Sequence, residues 1–288
     1  MLRARFTHDG TRWRQRIDPG PPGEAPLVRH DLSTLPEEER WAAVQRLAAE
    51  ADAGHDLAAG RLWCALLLDL GPGRRRQLFL TVHHLVVDAV SWRVLLDDLA
   101  TAYAQLRAGE PVRLPARTTS FQEWARRLRD HTRSGGFDAE RAHWSGLPEP
   151  APLPRDRAGE YRHSEVRTVL AELDEGETDL LLHRATGLLR AAPRDLVLAG
   201  LARVLARWTG ERGVTVDLEG HGREDLFDEV DLSRTVGWFT TLYPVFLDLP
   251  GQDARSVAPE DWKALARAVR RGLRATPGNG LGHGALRR

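Results

Sequence analysis

The stretch Gln77-Leu78-Phe79-Leu80-Thr81-Val82-His83-His84-Leu85-Val86-Val87-Asp88-Ala89-Val90-Ser91-Trp92 decides how the chain is read. Leu78, Leu80 and Val82 alternate with Phe79 and Thr81, and this period of two predicts a strand ending at His83. Upstream, Leu62–Leu70 is a continuous apolar run of strand length. Gly71-Pro72-Gly73 lies between the two runs, so a β-hairpin is expected. Downstream, a helix is expected from about Ser91, with Leu95, Leu99, Ala102 and Leu106 on one face. His83 and His84 therefore sit where a strand gives way to a loop. Neighbouring strand side chains point to opposite faces, so one imidazole can face a cleft while the other packs back. Asp88, just ahead of the helix, is placed to fix the backbone or an imidazole. A free imidazole titrates at about pH 6.5, which suits general-base chemistry. Adjacent histidines do not readily share one ion, and no second Cys/His cluster has ligand spacing, so no metal site is expected.

Working outward, Thr34-Leu35-Pro36-Glu37 reads as a capping box opening a helix with Trp41, Val44, Leu47, Ala48 and Ala51 on one face. Ser120-Phe121-Gln122-Glu123 reads as a second, opening a helix through Trp124 and Leu128. Ser164–Leu173 reads as a strand, and Asp195–Trp208 as a helix burying Val197, Leu201, Val204, Leu205 and Trp208. Val214, Val216 and Leu218 alternate with Thr215, Asp217 and Glu219, giving a strand with one polar face. Leu242–Leu249 is a further strand carrying Tyr243, Val245, Leu247 and Leu249 on one side. A last helix is expected from Pro259 to Leu273. The Pro-rich stretch from Leu147 to Pro154 is the best linker, so the expected organisation is α+β in two halves, 1–150 and 160–288.

The 288 residues are 42% hydrophobic and 28% charged, with 41 basic and 41 acidic residues, a globular balance without the charge excess that nucleic acid or a membrane surface attracts. Cys64, the single cysteine, lies in an apolar run and reads as a core residue. No disulfide can form within the chain, and a reducing, cytoplasmic setting is expected. The N-terminus lacks the apolar segment of a signal peptide, and no run approaches the roughly 20 residues of a membrane span.

His83-His84-x-x-x-Asp88 followed by Val90-Ser91-Trp92 is far more specific than two histidines. It resembles the active-site motif of the condensation and epimerization superfamily of nonribosomal peptide synthetases, whose fold is shared with chloramphenicol acetyltransferase. Leu2-Arg3-Ala4-Arg5-Phe6 resembles that superfamily's early Leu-Arg motif. His55-Asp56-Leu57 resembles its Phe-Asp-Leu segment, with His in place of Phe. Glu219-Gly220-His221-Gly222-Arg223-Glu224 and the segment from Asp231 to Pro244, with Gly237-Trp238-Phe239-Thr240, resemble strings that mark epimerization domains. Three departures are visible: Ala89 stands where the family usually has Gly, His283 stands where Tyr is expected, and the family extends beyond both ends of this sequence.

The resemblance implies an incomplete two-lobed sandwich of the chloramphenicol acetyltransferase type, with the His motif in one lobe and the Glu219 string in the other. It implies inversion, L to D, at the α-carbon of an aminoacyl or peptidyl thioester carried on the phosphopantetheine arm of a peptidyl carrier protein. Neighbouring synthetase modules are the other implied partners, and no bound cofactor or metal is implied. His84 and Glu219 are the implied proton-transfer groups. His83, Asp88 and Arg3 are implied supports, with Asp88 pairing with Arg3. Ser91, Trp92, His221, Trp238 and Tyr243 are candidates to line the substrate site. A condensation domain forming peptide bonds, and a non-catalytic carrier-binding remnant, are the alternatives.

Overall fold

The computed structural model describes residues 1–17, 26–150, 152–155, 159, 162, 165–249 and 259–287. Contacts divide the chain into two units, Met1–Leu128 with Asp225–Phe239, and Arg129–Glu224 with Thr240–Arg288. The division thus falls at Leu128 and not in the Pro-rich stretch expected to carry it. Hydrogen bonds hold the returning segment to the first unit. Thr119 N–H donates to Asp231 O (2.9 Å), and the Thr235 hydroxyl donates to Thr119 O (2.6 Å). Arg127 pairs with Glu229 at 2.8 Å, and Trp124 meets Phe227 edge-on. Pro148, in the Pro-rich stretch, lies in the second unit, and its O accepts a hydrogen bond from the Thr215 hydroxyl at 3.0 Å.

In the first unit, β1 (Ala4–His8) and β2 (Trp13–Ile17) form an antiparallel pair. A second sheet has the order β3 (Leu27–Asp31), β4 (Trp63–Asp69), β5 (Gln77–Val82), with β3 parallel to β4 and β4 antiparallel to β5. The β4–β5 hairpin is the one the apolar runs predict. Helix α1 (Glu37–Ala53) covers it, and Leu32, Ala43, Val44, Leu66, Leu68 and Leu70 form a core with Cys64 half-buried at its margin. Thr34 does not cap this helix. Pro36, whose fixed φ and missing N–H suit a helix start, takes the N-cap position without a side-chain bond, and Trp41 stands exposed.

Helix α2 (Ala89–Arg107) starts two residues before the expected position because Asp88 caps it. Its buried register is set by Ser91 and Val94, and Leu99 and Leu106 of the expected apolar face are exposed. Helix α3 (Phe121–Arg133) opens as the sequence predicts, with the Ser120 hydroxyl accepting Glu123 N–H at 3.1 Å.

The second unit contains the short helices α4 (Arg141–Ser145), α5 (Glu175–Asp179) and α6 (Thr186–Leu189), with a π-helical turn at Leu180–Ala185. Helix α7 (Pro193–Thr209) precedes β6 (Gly213–Gly220), which pairs antiparallel with β7 (Thr241–Asp248). Helix α8 (Pro259–Ala275) and then α9 (Leu281–Leu286) complete it. Tyr243, Val245, Leu247 and Leu249 face inward, as their alternation requires, against Leu198, Ala199, Ala202 and Ala206 of α7 and Leu265, Val269 and Leu273 of α8.

Two expectations fail here. Helix α7 buries the face opposite to the one its largest apolar residues define, leaving Val197, Leu201, Val204 and Trp208 exposed. The helix is apolar on both sides, and the side rich in alanine lets its backbone approach the sheet closely. The strand expected over Ser164–Leu173 is also absent. Ser164 lies outside the described residues, and 166–173 pair with no strand among them, so Val169 and Leu170 are 93% and 78% exposed. A segment can read as a strand in its residue types, but a ladder needs a partner with free N–H and C=O groups.

Candidate functional site

In the first unit, β5 delivers the chain to His83, whose N–H donates to Leu62 O at 2.7 Å. The chain then makes a short 3₁₀ turn, His84–Val86. His83 caps it, with Nδ1 accepting Leu85 N–H at 3.2 Å. That bond requires an unprotonated Nδ1. The His83 ring is half-buried and meets the His55 ring edge-on, centroids 5.7 Å apart. Burial pushes the His83 imidazole below its ordinary 6.5, and His55 and His84 push the same way. Both histidines lie past the end of β5, and His84, on the 3₁₀ turn, is exposed while His83 packs against His55. The indole of Trp238 stands against His84, 5.7 Å away at 63°, and is itself 44% exposed.

The sign of the His83 shift gives a stability prediction. A histidine whose folded pKa lies below its unfolded value binds fewer protons when folded. Its full stability is present above pH 6.5 and declines as the pH falls below it, levelling off once the folded ring is also protonated. The unfolding midpoint in urea should therefore drop on acidification below 6.5, and His83→Gln should remove part of that slope. An identical slope in the variant would show that His83 contributes nothing to it.

Asp88 is buried. Its Oδ1 accepts Ser91 N–H at 2.7 Å, capping α2, and its Oδ2 accepts Phe239 N–H at 3.2 Å. Ser91 is fully buried, and its hydroxyl donates to Gly237 O (2.9 Å) and accepts Gly237 N–H (3.0 Å). Ser91 thus fastens the segment that carries Trp238 and lines no open surface. A Cβ on Gly237 would lie 2.5 Å from the Phe121 ring, which explains glycine there. Trp92 is half-buried on α2. Arg3 is exposed just before β1. Ala89 is a helical residue without positive φ and is exposed, so the backbone does not demand the family's usual glycine.

In the second unit, β6 ends with Glu219 and Gly220, paired to Leu242 and Thr241 of β7. The Glu219 side chain is exposed. His221 is exposed too, and its Nδ1 accepts Arg223 N–H at 3.0 Å. The two glycines have different reasons. Gly222 has a left-handed φ of 67°. Gly220 has close neighbours, because a Cβ there would lie 2.7 Å from the Thr241 hydroxyl and 3.0 Å from Asn279 O. Tyr243 is buried, its ring packed where a Cβ on Gly280 would stand, and burial pushes its phenol up. It belongs to the core of the unit and lines no open site. His283, in place of the expected Tyr, lies 3.1 Å from Leu242 O through Nδ1 and packs against Trp144.

Sequence reasoning misses the neighbours of both strings: His55 beside His83, Trp238 beside His84, and Asn279 beside the Glu219 string. The departure of His55 from the family's Phe is the one available signal. Among the described residues no group of three His, Cys, Asp or Glu side chains is placed to hold a metal ion, and no helix is long and apolar enough to cross a membrane.

The profile of the Condensation domain family matches residues 1–287, and the chain belongs to that family. It is a domain of the kind found in nonribosomal peptide synthetases. One of the linear gramicidin synthase proteins of Brevibacillus parabrevis is 39% identical over 292 residues, covering 99% of this chain and 5% of that protein. Chondramide synthase cmdD of Chondromyces crocatus is 40% identical over 292 residues, covering 99% of this chain and 7% of that protein. The chain therefore spans a small part of the length of these relatives. Among solved structures, the epimerization domain from the third module of tyrocidine synthetase B matches with a TM-score of 0.86 at 30% identity, over 99% of this chain and 64% of that one. The first condensation domain of the calcium-dependent antibiotic synthetase, in complex with a substrate analogue, matches at 0.72 and 26% identity, over 99% of this chain and 63% of that one.

Proposed function

We propose that this chain epimerizes the α-carbon of an aminoacyl or peptidyl thioester held on the phosphopantetheine arm of a carrier protein. The observation that carries the reading is the Glu219–Glu224 string, which ends a strand with an exposed carboxylate followed by a turn that needs both its glycines. The higher likeness to an epimerization domain than to a condensation domain supports it. The thioester carbonyl acidifies the α-proton. One side chain takes that proton, the C–H electron pair passes into the Cα–C bond, and the carbonyl oxygen gains the charge. A second side chain then returns a proton to the opposite face, with no net gain of atoms. His84 and Glu219 are the pair assigned, with Asp88 and Arg3 as supports. No cofactor enters these steps, since the phosphopantetheine arm is part of the substrate.

The test is incubation of the purified chain with a carrier-loaded aminoacyl thioester in deuterium oxide. The expected result is α-deuterium together with both configurations after chiral analysis of the released amino acid. Peptide-bond formation with an acceptor thioester, without α-exchange, would establish condensation instead. Carrier binding without either reaction would leave only the binding role and overturn the proposal.

A further inference from the structure

The segment Pro277–Gly280 between α8 and α9 has an unusual backbone. Gly278, Asn279 and Gly280 all have positive φ, 47°, 46° and 78°. Asparagine tolerates this region better than most side chains, but a non-glycine residue there still carries strain, and such strain persists where the surroundings fix it. The surroundings are specific. The Asn279 backbone O accepts the hydroxyl of Thr241, the residue paired with Gly220 at the end of β6, at 3.2 Å. Its side-chain amide donates to Glu224 Oε2 at 3.0 Å. The other Glu224 oxygen is buried, receives no hydrogen bond from the described residues, and lies 3.4 Å from His221 Nε2. His221 Nδ1 already accepts Arg223 N–H, so in the neutral ring the proton is on Nε2, facing Glu224. One residue thus clasps both ends of the Gly220–Glu224 turn, by its carbonyl at the strand end and by its amide at Glu224.

We infer that Asn279 is a positioning residue: through Glu224 and Thr241 it fixes the Gly220–Glu224 turn and so the direction in which β6 presents Glu219. The inference rests on the proposed role of Glu219 for its catalytic meaning, but the clasp itself is measurable without any reaction. Glu224 is the hub, because one of its oxygens accepts the Asn279 amide and the other lies 3.4 Å from His221 Nε2.

The experiment compares N279G, N279D, E224Q and the double variant N279D/E224Q in the full chain. N279G keeps a left-handed backbone and removes only the amide. N279D sets two carboxylates against each other. In N279D/E224Q donor and acceptor are exchanged and the bond is restored with reversed polarity. Hydrogen–deuterium exchange of peptides covering residues 217–225 is the first readout. Exchange should accelerate about tenfold in N279G, as for loss of one hydrogen bond. It should accelerate further in N279D and return towards wild type in the double variant. The ring ¹⁵N shifts of His221 are the second readout. They report the Nε2–H form in the wild type and should change in E224Q, where the facing carboxylate becomes an amide. Melting curves check folding, and N279G should melt no lower than wild type. Unchanged exchange in N279D, or no recovery in the double variant, would overturn the clasp. If the clasp holds but the wild-type chain exchanges no α-proton, the proposed activity fails and the clasp stands. If the activity is present, N279D should lower kcat with KM nearly unchanged, and the double variant should recover it.

Discussion

Glu219→Gln and His84→Ala are each expected to cut net inversion of a carrier-tethered thioester by about 10²–10⁴-fold, the usual worth of a positioned acid–base group. Both substitutions should be nearly silent in stability, because both side chains are exposed and surface substitutions away from packed features stay within about 0.5 kcal/mol. That separation makes the experiment informative, since a folded but inactive variant isolates the chemistry. A two-base site makes a further demand. If the proposed roles hold, with each group serving one face of the α-carbon, one variant should still exchange the α-proton of one enantiomer with solvent deuterium while failing to invert it. Retention of wild-type inversion in both variants would sink the assignment. Loss of exchange from both enantiomers in both variants would instead make the two groups serve one step.

Asp88→Ala should destabilise the first unit by about 2–4 kcal/mol. Loss of an N-cap accounts for about 1 kcal/mol, and stranding a buried N–H at Phe239 adds about 1–3 kcal/mol. The two oxygens serve different partners, Ser91 N–H and Phe239 N–H, so Asp88→Asn should be intermediate. Its amide oxygen can keep one bond while its NH₂ faces a backbone donor. Urea denaturation followed by tryptophan fluorescence checks the order Asp, Asn, Ala, with Trp238 reporting locally on the segment that Asp88 and Ser91 hold. Equal stability of the alanine variant and the wild type would mean that water replaces both bonds at no cost.

Where the sequence is legible, a single face decides burial. Tyr243, Val245 and Leu247 are buried while Leu242, Pro244 and Phe246 between them are less so, as a period of two requires; on β5 the same period misleads, because Leu78 is exposed and Thr81 is buried. Helix α7 defeats such a reading because two apolar faces compete. Transfer free energy favours burying Val197, Leu201, Val204 and Trp208, whereas close approach to β6 and β7 favours Ala199, Ala202 and Ala206, and only a packed neighbour settles which wins. The segment 166–173 defeats it for another reason, because its residue types say nothing about whether a partner strand is at hand. The candidate site divides in the same way. His84 and Glu219 are visible in their local strings, and so is Asp88 as a residue ahead of a helix. Ser91 reads as lining because a hydroxyl beside a motif looks available, but its partner Gly237 lies far along the chain. Asn279 gives no signal at all, since its left-handed backbone and its bond to Glu224 exist only after folding.

The return of Asp225–Phe239 to the first unit has a consequence for synthesis on the ribosome. Gly237, the partner of the Ser91 hydroxyl, is made 146 residues after it. At about 5–20 residues per second that is a delay of about 7–30 s. Throughout it Asp88 can cap α2 through Ser91 N–H, while the Phe239 N–H and the Gly237 backbone groups that complete these contacts are not yet made. The nascent first unit therefore waits half-closed. The chain between is not an idle loop either, since it contains α7 and β6, and collapse of those elements shortens the span that the late segment must bridge. The first unit is thus begun first but closes only at Phe239, after most of the second has been made, and the second closes last.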